Sequence, residues 1–138
     1  MARYAKATTV PVNRSRTQIQ DELEKFGVDE FFFGTSKRGQ GIGFKYNERV
    51  YKMNVPLPER TEGMSENQYQ QALRQRWRVL RMSMKMELEK IESGVISFED
   101  QFLAQMCLPD GSNISQFMKK PENLELLAKS KMPKMLTG

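Results

Sequence analysis

Residues 65–94 read SENQYQQALRQRWRVLRMSMKMELEKIESG, and this stretch decides the fold. Ser65 is a natural N-cap, Gln68 stands three residues on as a capping box requires, and Gly94 suits the C′ position. Tyr69, Leu73, Trp77, Leu80, Met84, Leu88 and Ile91 recur at intervals of 4, 4, 3, 4, 4 and 3, so they share one face of a helix. At 1.5 Å per residue the helix runs roughly 42 Å, longer than a small domain is wide. It is therefore expected to be the spine of the domain.

The same geometry places the charge. At about 100° per residue, Arg74, Arg78, Arg81 and Lys85 fall within roughly 60° of one another, about 105° around from the apolar face. Arg76 is a further cation in this span, which holds no acid; Glu87, Glu89 and Glu92 crowd the C-terminal end, where the helix dipole disfavours them. Ala72, Val79, Met82 and Met86 make a second, weaker apolar strip on another side. Two apolar sides predict a helix packed on two sides.

Upstream, Thr17 to Phe26 predicts a short helix with Ile19, Leu23 and Phe26 inward, stopped by Gly27. Before it, residues 1–13 lack periodicity and carry Arg3 and Lys6, so a flexible basic arm is expected there, with 14–138 forming one domain. Three strands are expected next: Val28 to Gly34, Gly41 to Tyr46 and Arg49 to Val55, an antiparallel meander with a tight turn at Asn47-Glu48. Phe31, Phe32 and Phe33 cannot all point one way in a strand, so both sheet faces should be partly covered. Pro56 and Pro58 end the sheet.

After Gly94, Ser97 caps a short helix that turns Phe98, Phe102 and Met106 inward. Asp110-Gly111 makes a turn, Ser112 or Asn113 caps a further helical turn, and Pro121 opens a last helix with Leu124, Leu126 and Leu127. The fold class expected is α+β: an N-terminal helix, a three-stranded antiparallel meander, the long helix and short C-terminal helices.

Composition narrows the function. The chain has 138 residues, a net charge of +5 and no histidine. Without histidine the commonest general base, the usual triads and most zinc sites are gone. The single Cys107 sits among Met106, Leu108 and Phe102 and reads as a core residue; one cysteine forms no internal disulfide, which fits a reducing, cytoplasmic setting. Glu87-Leu88-Glu89-Lys90 resembles part of a nuclease signature, but on a helix rather than a strand. No enzyme activity, cofactor or metal is expected. No apolar run approaches the length of a membrane span.

Gly39, Gly41 and Gly43 form a G-x-G-x-G run. A dinucleotide fingerprint would open a helix at the last glycine, whereas Phe44-Lys45-Tyr46 continues as strand. A flexible loop is the plainer reading; backbone approaching a phosphate beside Lys37 and Arg38 is the functional one.

The order helix, three strands, long helix over about residues 16–94 is similar in topology to the double-stranded RNA-binding domain. That family opens its second helix with lysines and carries a Gly-Pro-x-His loop element. Here the helix opens Ser65-Glu66-Asn67-Gln68 and histidine is absent, so none of that family's RNA-binding residues carries over. Thr17 to Gly27, Val55-Pro-Leu-Pro58, Arg76-Trp-Arg78, Ile91-Glu-Ser-Gly94, Leu108-Pro-Asp-Gly111 and Met132-Pro133 also resemble small uncharacterised proteins of phages and other mobile elements. That resemblance implies a setting only.

The expected function is non-enzymatic binding of the DNA or RNA backbone. Arg74, Arg76, Arg78, Arg81 and Lys85 would act on the spine, with Lys37, Arg38, Lys45, Arg49 and Lys52 on the hairpins. Trp77 and Tyr46, if exposed, would stack on bases, although Trp77 falls on the core face. The alternative is a protein-interaction module, a homodimer or a binder of another protein, using Val79, Met82 and Met86. Ten methionines suit an adaptable surface. An exposed strip with the arginines held in ion pairs to Glu87 or Asp100 would favour that alternative.

Overall fold

The computed structural model describes residues 5–133; Arg3 of the expected arm and Lys134 of the tail lie outside them. The chain is α+β, in the order α1 (Val12–Phe26), β1 (Glu30–Ser36), β2 (Gly39–Tyr46), β3 (Arg49–Pro56) and α2 (Glu66–Glu92). The short helices α3 (Phe98–Gln101), α4 (Ile114–Met118) and α5 (Pro121–Ala128) follow, with a 3-10 turn at Leu103–Gln105.

The spine forms as its caps require. Ser65 Oγ accepts from Gln68 N at 3.1 Å, and Gln68 Oε1 accepts from Ser65 N at 2.8 Å. At the other end Gly94, at φ +85°, donates to the Ile91 carbonyl. Helix α1 starts at Val12, not Thr17. Pro11 is extended, and its carbonyl accepts from both Arg14 and Ser15. Val12, Ser15, Ile19 and Leu23 continue one inward face, and polar Ser15 is fully buried on it. A buried serine concealed this first turn from the apolar pattern. The expected arm touches the spine: Gln71 Nε2 donates to the carbonyls of Lys6 and Thr8.

The sheet is an antiparallel meander in the order β1-β2-β3. Strand β1 runs later than expected, through Thr35 and Ser36, because Ser36 pairs with Gly39 and only Lys37-Arg38 is left to turn. The G-x-G-x-G run is thus strand, not loop. Asn47 and Glu48 both take positive φ, 51° and 65°, which turns β2 into β3 in two residues.

Pleating sorts the side chains onto two faces. Phe31, Phe33, Ile42, Phe44, Tyr51, Met53 and Val55 point inward with α1 and α2. Trp77 is fully buried, its ring centroid 5.6 Å from that of Phe33, and its indole N–H donates to Gln40 Oε1 at 2.6 Å. Leu73 and Met84 are buried in the same core and Leu80 packs against it, as the spine's periodicity required. Phe98 and Phe102 fill the remaining corner: Phe98 stacks on Tyr46 at 3.9 Å, and Phe102 meets Phe44 edge-on at 5.5 Å.

The C-terminal segment also extends the sheet edge. Met106 bridges to Tyr51, Cys107 N donates to the Val50 carbonyl, and Asn113 Nδ2 donates to the Lys52 carbonyl. Cys107 is consequently an edge residue, half-buried rather than core; burial raises its thiol pKa above the usual value. Asn113, not Ser112, caps α4, in a second capping box with Gln116. Among the described residues no helix is long and apolar enough to cross a membrane.

Candidate nucleic-acid interface

The ten expected contact residues do not share one surface. Alternation along the strands puts Lys45 and Lys52 on the sheet face turned away from the helices. The spine arginines lie on the helix side.

On the spine, α1 runs beside α2 and engages the stripe. Arg74 donates through Nε and a terminal nitrogen to Gln71 Oε1, at 3.0 and 2.7 Å. Arg78 donates to Gln18 Oε1 at 3.1 Å, and Arg81 pairs with Glu22 at 3.4 Å. Arg76, on the other flank, donates to the carbonyls of Pro56 and Leu57. Lys85 is exposed. Arg78 and Arg81 of the stripe, with Arg76, therefore tie α2 to its neighbours, while Arg74 is held within the helix. The sequence could not show this, because Gln18 and Glu22 lie about sixty residues away on another helix.

The outward sheet face is the less expected surface. Across the three strands it carries the rows Glu30–Lys45–Val50, Phe32–Gly43–Lys52, Gly34–Gly41–Asn54 and Ser36–Gly39–Pro56. Neither helix covers it, contrary to the expectation that three adjacent phenylalanines need cover on both sides. Phe32 is 51% exposed. Its ring lies over Gly43: a Cβ built there would sit 2.0 Å from the ring edge. The glycine shields one side of the ring, and its other side faces water.

Cations frame this ring. Lys52 stands in the same row, about 10 Å across two strand spacings, and its Nζ donates to the Gly111 carbonyl. Lys45 pairs with Glu30 at 3.7 Å in the next row. Lys37 and Arg38 occupy the β1–β2 turn at one end and are exposed. Arg49, exposed beyond the opposite turn, shares its row with Tyr46 and so belongs to the other face. A shallow cavity of about 300 Å³, lined in part by Phe32, Gly34, Gly41 and Lys52, opens on this face. Glycines here leave the backbone bare, so a flat group can approach the sheet closely.

Of the two expected stacking residues, Trp77 is core and Tyr46 is stacked on Phe98. The exposed aromatic of the sheet is Phe32, for which packing was expected. The available signal was its glycine partner: a strand whose alternate residues are Gly39, Gly41 and Gly43 offers no packing layer on that face.

Among the described residues no three acidic, cysteine or histidine side chains converge to hold a metal ion. No protein-family model matches the chain, and no similarity to a curated protein or a solved structure was found.

Proposed function

We propose that this chain is a non-enzymatic nucleic-acid-binding protein that takes single strands on the open face of its sheet. The observation that carries the reading is Phe32: a half-exposed ring, shielded on one side by Gly43, on a face that also carries Lys45 and Lys52. Aromatic rings on a sheet stack with unpaired bases, and nearby cations neutralise the phosphates between them. Lys37, Arg38, Lys45 and Lys52 are the cations suited to that role. The spine arginines support the fold in this reading and do not serve as the contact surface.

The test is a salt titration of labelled single-stranded and duplex oligonucleotides. Wild type should bind single strands better than duplex. Phe32→Ala should weaken single-strand binding by about 1–3 kcal/mol, the worth of one stacked base. Lys37→Glu with Arg38→Glu should flatten the slope of log K against log salt by about 1.4, two contacts at about 0.7 each. Absence of binding at low salt, or full affinity in a folded Phe32→Ala protein, rejects the reading.

A further inference from the structure

The side of α2 turned away from the core is only partly covered. Ala72, Val79, Met82 and Met86 lie about 180° around the helix from Trp77. Met86 is 60% exposed, and Ala72, Val79 and Met82 are half-buried. A groove of about 630 Å³ runs along it, lined by Val79, Met82 and Met86 with Arg78, Lys85 and Glu89 at its rim.

The charge along this helix is polarised: cations from Arg74 to Lys85, acids at Glu87, Glu89 and Glu92. Its own dipole disfavours those acids. An antiparallel copy of the same helix reverses the order. With Met82 facing Met86 of the second copy, Arg78 falls within one residue of Glu89 on the same flank of the second copy, and the two-fold axis makes that pair twice. Strip positions Val79, Met82 and Met86 have the 3 and 4 spacing of a helix-pair seam. A patch that meets its own copy, apolar strip on apolar strip and Arg78 near Glu89, is what an isologous interface requires.

We infer that the chain self-associates through α2, as an antiparallel two-fold dimer seated on Val79, Met82 and Met86. One helix face gives a small interface, below about 1,200 Å² in total, so the dimer belongs to the weak class and forms at micromolar rather than nanomolar concentration. The strip and the open sheet face lie on opposite sides of the molecule. The dimer leaves both sheet faces free, and its existence does not depend on nucleic-acid binding.

Sedimentation equilibrium of the full chain over a range of concentrations tests this, without any oligonucleotide. Wild type should pass from monomer to dimer. Met86→Glu, at an exposed site, should weaken the dimer by about tenfold or more, with an unchanged melting curve. Arg78→Glu and Glu89→Arg should each self-associate poorly, and an equimolar mixture of the two should recover the dimer, because both pairs in the mixed species are then of opposite charge. A monomer at every concentration overturns the inference. So does a dimer indifferent to Met86→Glu, or a mixture of folded charge variants that fails to recover.

Discussion

Arg81 of α2 meets Glu22 of α1 at 3.4 Å, in a seam that leaves only 14% of the arginine side chain and 28% of the glutamate side chain exposed. The arginine's Nε is buried there with no partner among the described residues. A pair so placed belongs to the fold. Arg78→Glu with Arg81→Glu should therefore cost on the order of 2–4 kcal/mol, since it removes a half-buried hydrogen bond and sets carboxylate against carboxylate. Urea denaturation checks it. A loss within about 0.5 kcal/mol would return these side chains to the class of solvated surface.

Trp77 anchors the other side of the same helix. Trp77→Ala should cost about 3–5 kcal/mol, from lost burial and the cavity it leaves. Trp77→Phe keeps much of the packing but leaves Gln40 Oε1 without its donor, and should fall between wild type and alanine. Thermal melting of the three proteins gives the order directly.

Tyr51 is fully buried and its hydroxyl has no partner among the described residues. Burial, followed by the nearby Glu99 charge, raises its pKa above the usual value of 10.0. The folded chain then holds the phenolic proton to higher pH than the unfolded chain does. The stability this contributes is complete below about pH 10 and is lost as pH rises through the folded value. Tyr51→Phe should be neutral or stabilising at pH 7, because it removes an unsatisfied hydroxyl. It should also be less sensitive to alkali than wild type. Equal loss of stability in both proteins above about pH 10 would assign the alkaline limb to other groups.

Gly43→Ala separates the ring on the open face from the core. Its Cβ would overlap the edge of Phe32, a side chain free to swing outward, and the glycine needs no positive φ. Stability should change by less than about 1 kcal/mol. Oligonucleotide affinity should fall as it does in Phe32→Ala, because the ring loses its seat. Nuclear Overhauser contacts between the Phe32 ring and residue 43 report the displacement.

Where periodicity and caps agreed, the fold was legible. Ser65, Gln68 and Gly94 bounded the spine correctly, and Leu73, Trp77 and Met84 named its buried face. The turn at Asn47-Glu48 and the inward Phe98 and Phe102 were equally readable. The first turn of α1 was hidden by Ser15, a polar residue whose burial depends on α2 and not on its own segment. The candidate site was harder to read. Whether an arginine meets water or a glutamine sixty residues away is a tertiary fact, as Arg78 and Gln18 demonstrate. Phe32 was misjudged because burial preference is an average over phenylalanines. It takes no account of a partner strand whose glycines leave one face without a second layer.

The two rings of α3 and its flank have a further consequence for how the chain comes apart. Phe98 touches Phe26, Phe44, Tyr46 and Tyr51, which belong to α1, β2 and β3. The segment after it closes the β3 edge. A fragment ending at Gly94 would keep the helix–sheet–helix order yet present four aromatic rings to water and reopen a strand edge to intermolecular pairing. Residues 98–113 are thus part of the same core as the helices and sheet before them, and a protease that nicks the Ser93-Gly94 link should leave two pieces that stay together until both unfold in a single cooperative transition.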